Sequence, residues 1–276
     1  MSVKNVRLFL GGLNLTGNDV GDLDQLLQAE ATSGTRSTYL VFLATPPAPG
    51  SMRGTAERLL DEVAPGTSPL KVFDQLGGFA VDLDDAGLRV EHVAKVRDAA
   101  EIERIKSIGA EAALLADFGQ IIPAALLDHY SRGIVNLHPS LLPRHRGASP
   151  IPATILAGER ETGVTTIVMD QGVDTGPIIA VQHLRPRPEV SAAELEVELA
   201  ELAAVGVADT LATWLQGSEA ADPQHLDGAT QTRRLARADG RVGAQTSYEL
   251  ALRMWRAYQP WPGLWVEIPG VVDRLI

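Results

Sequence analysis

Short apolar runs alternate with segments of helical spacing along most of this chain. Val6 to Leu10 is apolar and stops at Gly11-Gly12, as a buried strand entering a tight turn does. Asp19 to Ala29 sets Val20, Leu23, Leu26 and Leu27 at near-helical spacing. Tyr39 to Leu43 predicts a second strand, Thr45 to Gly50 breaks the chain with three prolines, and a helix is expected from Thr55 to Val63. Between Leu70 and Lys95 the pattern gives only short strands, Val72-Phe73, Val81 to Leu83 and Leu88 to Val90, around the turn Asp84-Asp85-Ala86-Gly87. Beyond it the signals sharpen. Helices are predicted over Ala99 to Ile108, Ala124 to His129 and Ile151 to Ala157. Strands are predicted over Ala112 to Ala116, Gly133 to Asn136, Val164 to Met169 and Ile178 to Leu184. Ser191 to Leu215 is the longest helical pattern, with Ser191 as cap and Glu194 three residues on.

Strands and helices in alternation predict an α/β fold, an open Rossmann-like sheet with flanking helices, mostly parallel and at least so in its first half. That first domain spans 1–215. Gln216 to Thr232 is polar and reads as a linker. A short C-terminal region follows over 233–276, holding Trp255, Trp261 and Trp265.

Composition changes the picture in three ways. With 45% hydrophobic residues, the chain is too apolar to stay a solvated coil. The absence of cysteine excludes disulfides, thiolate metal sites and thiol nucleophiles, and fits a reducing cytoplasm. A net charge of −11 opposes a broad nucleic-acid coat, yet allows a local basic patch. The first residues carry charges that interrupt any signal-peptide core, and no apolar run is long enough for a membrane span.

Ligands of open α/β sheets bind at the carboxyl ends of the strands. The strand Gly133-Ile134-Val135 runs into Asn136-Leu137-His138, which puts an amide and an imidazole two residues apart on one face. Asp174 follows in a loop fixed by Gly172, Gly176 and Pro177. His145 stands between Arg144 and Arg146 and reads as part of a basic loop. No other histidine has a partner at metal-like spacing, so no metal is expected. Taken singly, each of these residues is as readily explained by packing or turn formation.

Together they carry a resemblance. Asn136-Leu137-His138-Pro139-Ser140-Leu141-Leu142-Pro143 resembles the signature of the folate-dependent formyltransferases, and Gly163 to Gly176 resembles its second half. Arg146-Gly147-Ala148-Ser149-Pro150-Ile151, Ala238 to Val242 and Gln259-Pro260-Trp261-Pro262-Gly263 are similar to the methionyl-tRNA branch of that family. That branch usually has a Gly-Thr-Pro turn after the first strand, a basic first-domain insertion and a C-terminal β-barrel. Here Leu10 to Asn14 and Pro46 to Gly54 stand in the first two places, and the C-terminal region is short.

The resemblance implies a catalytic domain over 1–215, with Asn136, His138 and Asp174 as the catalytic residues. It implies 10-formyltetrahydrofolate as co-substrate, against Phe118, Gly119, Gln120, Ile121, Ile122, Ser140, Leu141, Leu142, Pro143 and Asp170. The implied acceptor is the amino group of initiator methionyl-tRNA, held by Arg144, Arg146, Arg233, Arg234 and Arg237. A nucleotide-linked amino sugar is the alternative acceptor, and a non-catalytic folate-binding regulator is the alternative of another class. A monomer in the cytoplasm, with no membrane contact, is expected. From Arg233 to Arg256 there are six arginines, opposed only by Asp239 and Glu249, which marks this segment as the basic patch.

Overall fold

The computed structural model describes residues 39–42, 95–110, 112–116, 118, 120–218, 220–268 and 271–275. The elements expected before Tyr39, the helix over Thr55 to Val63 and the short strands between Leu70 and Lys95 lie outside the described residues.

One five-stranded sheet organises the described chain. Its strands are β1 (Tyr39–Phe42), β2 (Ala112–Ala116), β3 (Ile134–His138), β5 (Thr162–Val168) and β6 (Ile178–Leu184), in that spatial order. β1, β2 and β3 run parallel, as the alternation predicts; β5 is antiparallel to both β3 and β6. The sheet is therefore mixed. The loop 169–177 is too short for the crossover of roughly a dozen residues that a parallel β5–β6 pair would need. Every residue of β2 and β3 is buried, because helices and loops cover both faces and a parallel strand so placed must be apolar throughout. Asn136 and His138 are the exceptions to that apolarity. β3 also runs two residues past its expected end at Asn136. Leu137 and His138 still find partners, at Ala116 on one edge and at Thr166 and Thr165 on the other.

Five helices are described: α1 (Ala99–Lys106), α2 (Ala124–Leu127), α3 (Pro150–Ala157), α4 (Ala192–Leu215) and α5 (Tyr248–Ala257). α4 opens as its sequence predicts. Ser191 N–H donates to Glu194 Oε2 at 2.9 Å, and Glu194 N–H donates back to Ser191 Oγ at 3.3 Å. Leu195, Leu199, Ala203, Val207 and Leu211 form its buried stripe, one residue in every four. Near its end Trp214 Nε1 donates to Arg132 O at 2.9 Å, which ties α4 to the turn that launches β3. α3 packs on α5, and Arg253 Nη1 of α5 lies 3.4 Å from Leu156 O, at the carbonyl end of α3 where a cation is favoured. Among the described residues no helix is long and apolar enough to cross a membrane.

Two small pairings lie outside the main sheet. β4 (Arg146–Gly147) pairs with β7 (Gln231–Thr232), and β8 (Trp265–Ile268) pairs with β9 (Val271–Leu275). The first matters for the site, because it draws the stretch 216–232 back onto the loop that follows β3.

Leu199 on α4 is 2% exposed and Val205 on the same helix is 68% exposed. Leu199→Ala should lower unfolding stability by about 2–5 kcal/mol, and Val205→Ala by less than about 0.5 kcal/mol. Urea midpoints at constant m-value report both; equal losses would mean that the stripe does not face the core.

Candidate active site

β3 presents Asn136 and His138 on one face, at 8% and 4% exposure. Across the antiparallel ladder Asn136 opposes Ile167 and His138 opposes Thr165. Thr165 is fully buried, and its hydroxyl works in both directions. It donates to Ser140 O at 2.7 Å and accepts from Leu142 N–H at 3.1 Å. β5 thereby pins the loop that leaves β3. Ser140 Oγ tightens the same loop by donating to Arg144 O at 2.7 Å.

The loop returns to His138 through a main-chain group. His145 has φ of 58°, and its carbonyl oxygen lies 3.0 Å from His138 Nε2. A carbonyl can only accept, so Nε2 carries the hydrogen and Nδ1 is the nitrogen that gains or loses a proton. The ring of His145 turns away, with Nε2 at 2.9 Å from Glu159 Oε1, which Arg144 Nη1 also reaches at 3.1 Å.

Nδ1 of His138 faces Oδ2 of Asp174 at 3.6 Å. The route by which Asp174 arrives is unusual. Its loop leaves the sheet beside the start of β3, where Met169 N–H donates to Ile134 O at 2.7 Å, while His138 ends that strand. The loop must double back along β3. Asp170 holds its turn by accepting from Gly172 N–H at 2.9 Å and Thr175 Oγ1 at 2.6 Å. Gly147 N–H donates to Asp174 Oδ2 at 2.7 Å. Gly147 itself has φ of 97°, and a Cβ there would collide with the backbone carbonyl of Thr232. Asp174 has φ of 52°, a left-handed conformation uncommon for a residue with a side chain.

Two opposed effects set the charge of His138. Burial disfavours the imidazolium, and the Asp174 carboxylate favours it. At 3.6 Å the attraction is on the order of 5 kcal/mol at an effective dielectric of about 20. Desolvating the ion costs several kcal/mol as an order of magnitude, so the two nearly offset each other. Desolvation prevails, and His138 sits below the ordinary histidine value. The Asp174 carboxylate still favours the protonated form, but it only partly offsets the effect of burial.

The structure brings Asn136, His138 and Asp174 into one site. The residues expected against folate divide. Ile122, Ser140 and Leu142 are buried in their loops, whereas Gln120, Leu141 and Pro143 are half-buried. Gln120 Oε1 accepts from Val96 N–H at 3.1 Å. Ile121 and Asp170 are exposed, Phe118 packs partly against the core, and Gly119 lies outside the described residues.

The five arginines expected on tRNA divide as well. Arg144 and Arg233 are exposed at the side chain but paired, with Glu159 and Asp239 respectively. Arg234 is exposed, and Arg237 lies over the Trp265 ring at 5.6 Å. Arg146 differs from expectation. It is 6% exposed, with Nε and Nη2 donating to Gln224 Oε1 at 3.1 and 2.6 Å, because β4 pairs inward with β7. Sequence reading missed the His145 carbonyl, Thr165 and Gln224, which act through backbone geometry or lie in a stretch taken as linker.

Fold and site agree in class: residues 68–211 match the formyl transferase family, and the chain belongs to it. The resemblance read from Asn136 to Pro143 and from Gly163 to Gly176 is thus borne out. The chain is similar to the methionyl-tRNA formyltransferase of Sorangium cellulosum (strain So ce56), at 38% identity over 192 residues, which cover 70% of this chain and 62% of that protein. It spans less than two thirds of the length of the first curated relatives it matches. Among solved structures it shares its fold with a 4-N formyltransferase from Francisella tularensis. That match has 12% identity and a TM-score of 0.62, over 100% of this chain and 97% of that one. It also shares its fold with HypX from Aquifex aeolicus in complex with tetrahydrofolic acid. That match has 22% identity and a TM-score of 0.54, over 61% of this chain and 29% of that one.

Titration of His138 by NMR should give a midpoint below the ordinary value of about 6.5. Asp174→Asn removes the contribution that raises it, so the midpoint should fall further. A rise on that substitution would show that the carboxylate does not act on Nδ1. Because the folded-state value is depressed, the associated stability is present above the unfolded value and is lost as pH falls toward the folded one.

Proposed function

We propose that this chain transfers a formyl group from 10-formyltetrahydrofolate to the amino group of initiator methionyl-tRNA, as a monomer in the cytoplasm. The observation that carries this reading is the pairing of His138 Nδ1 with Asp174 in a buried site that also presents the Asn136 amide. Relatives named methionyl-tRNA formyltransferase support the choice of acceptor.

The residues fit a flat, largely apolar donor. Ile121 and Val173 expose 66% and 54% of their surface on two loops, and Leu141 and Pro143 are half-buried, so each keeps apolar surface for a ligand to cover. With Gln120 and Asp170 they would hold the folate, which when bound supplies an activated formyl group on a nitrogen that leaves once protonated. The protein's part is proton transfer and charge stabilisation. As the amine attacks the formyl carbon, His138 takes a proton at Nδ1, and Asp174 stabilises the imidazolium so formed. A bare Nδ1 is ready at neutral pH because burial holds its pKa down. The same proton can then pass to the departing nitrogen as its bond to the formyl carbon breaks. The Asn136 amide supplies an N–H donor to the formyl oxygen, on which negative charge grows. The domain boundaries at 1–215, 216–232 and 233–276 belong to this proposal. So does the gripping of tRNA phosphates by Arg144, Arg233, Arg234 and Arg237.

His138→Ala and Asp174→Ala should each lower kcat by ~100- to 10,000-fold. Asn136→Ala should lower it by ~100- to 1,000-fold with little change in donor KM. A variant of His138 with near-normal kcat would rule the mechanism out. Charged initiator tRNA and nucleotide-linked amino sugars, offered in parallel, decide the acceptor. Turnover of the sugar alone would overturn the tRNA assignment, and binding without turnover of either would leave a folate-binding regulator.

Neutralising Arg233, Arg234 and Arg237 together should raise the tRNA KM and flatten its salt dependence, because each phosphate contact releases counterions. An unchanged salt slope would make these arginines scaffold.

A further inference from the structure

Gln224 lies in the polar stretch after α4, yet its amide is fully engaged at the site. Oε1 accepts from Arg146 Nε and Nη2 at 3.1 and 2.6 Å. Nε2 donates to Asp174 O at 2.9 Å and to Gly176 O at 2.8 Å. The orientation of the amide is dictated by its neighbours. Arginine can only donate, so the carbonyl end must face Arg146 and both N–H groups must face the loop. Arg146 is a firm anchor: it is buried, its N–H donates to Thr230 O at 3.0 Å, and its carbonyl accepts from Thr232 Oγ1 at 2.9 Å.

The two carbonyls that Gln224 holds are that of Asp174 itself, the residue with φ of 52°, and that of Gly176 two residues on. Such a conformation persists only where the surroundings impose it. Gly147 N–H holds the carboxylate, whereas Gln224 holds the backbone behind it. The loop has doubled back from the far end of β3, and the pairing with His138 at 3.6 Å depends on where that backbone stops.

We propose that Gln224 is a positioning residue for formyl transfer: through Arg146 it fixes the Asp174–Gly176 backbone so that the Asp174 carboxylate faces His138. This rests on the reading of the site given above. The groups that act on His138 are the Asp174 carboxylate from the 169–177 loop and, from the loop after β3, the His145 carbonyl and the charge of the His145 ring, which itself turns toward Glu159. Glu159 pairs with Arg144 and with the His145 ring, and Arg146 with Gln224, rather than with His138. Releasing the loop moves the one carboxylate in that set away and lowers the His138 midpoint.

The test uses Gln224→Met, which keeps length and adds no charge, and Gln224→Asn, which keeps the chemistry but falls short of the loop. In the full chain both should lower kcat by about 10- to 100-fold while donor and acceptor KM change less than about twofold. The pH profile of kcat and the NMR midpoint of His138 should both move to lower pH. In the Asp174→Asn background neither substitution should move the midpoint further, because the charge it positions is gone. Should Gln224→Met fail to fold, Gln224→Asn carries the same comparison. A folded variant with reduced kcat but a wild-type His138 midpoint would reduce Gln224 to scaffold, as would a further fall in the Asp174→Asn background. Failure of the formyl-transfer reading shows differently: wild-type protein would not turn over, while Gln224→Met would still displace the His138 midpoint.

Discussion

The site depends on keeping one imidazole dry while holding a carboxylate within 3.6 Å of its proton-accepting nitrogen. These demands conflict. A carboxylate prefers water, and drawing it into a buried site requires that its own hydrogen bonds be replaced. The chain meets this with backbone groups. His138 Nε2 is fixed by the carbonyl of His145, and Asp174 Oδ2 is fixed by the N–H of Gly147. Both come from the short return of the loop after β3, so one segment orients both partners. That explains the left-handed φ at His145 and Gly147, since a regular strand or helix could not aim a carbonyl and an N–H at the two partners from so few residues.

This dependence on main-chain groups sets what was legible in the sequence. β2, β6 and α4 were readable almost to the residue, because apolar strand runs bounded by turn residues and amphipathic helices announce themselves through their side-chain pattern. Asn136 and His138 were readable as a pair for the same reason: alternation along a strand fixes their common face. The reach of β3 through His138 was not, because it follows from having neighbours on both edges. The antiparallel turn of the sheet at β5 was equally hidden in the pattern of apolar residues. Gln224 was hidden most deeply. A glutamine in a polar stretch after a long helix looks like solvent-facing linker, and only the β4–β7 pairing shows it turned inward.

Arginines show a second gap between pattern and geometry, since composition does not reveal what each one touches. Six of them between Arg233 and Arg256 read as a basic patch. In the folded chain Arg233 grips Asp239, while Arg237 and Arg241 lie over Trp265. Arg253 meets the carbonyl end of α3, and Arg256 reaches the carbonyls of Leu252 and Pro188. An arginine has five donors and a long apolar stem, so it serves as readily to join elements as to attract phosphate. In the described C-terminal region they join elements in this way. An ion-paired arginine still carries its charge, and an exposed pair can exchange a carboxylate for a phosphate at small cost, because exposed pairs contribute only about 0–1 kcal/mol.

Buried and exposed arginines therefore belong to different tasks. Arg146 faces no such exchange: its place between β4 and β7 is closed, and its partner is a neutral amide. A buried cation against a neutral acceptor is costly unless its charge is used. Here it orients a side-chain amide that, beside the Gly147 N–H, bridges the loop after β3 and the loop after β5. Those loops supply the groups that hold the His138 ring and the Asp174 carboxylate in the described structure. Joining them through Gln224 makes the His138–Asp174 spacing a property of the two loops together. A disturbance in either one must then reach the proton-accepting nitrogen, even when it leaves Asn136, His138 and Asp174 themselves unchanged.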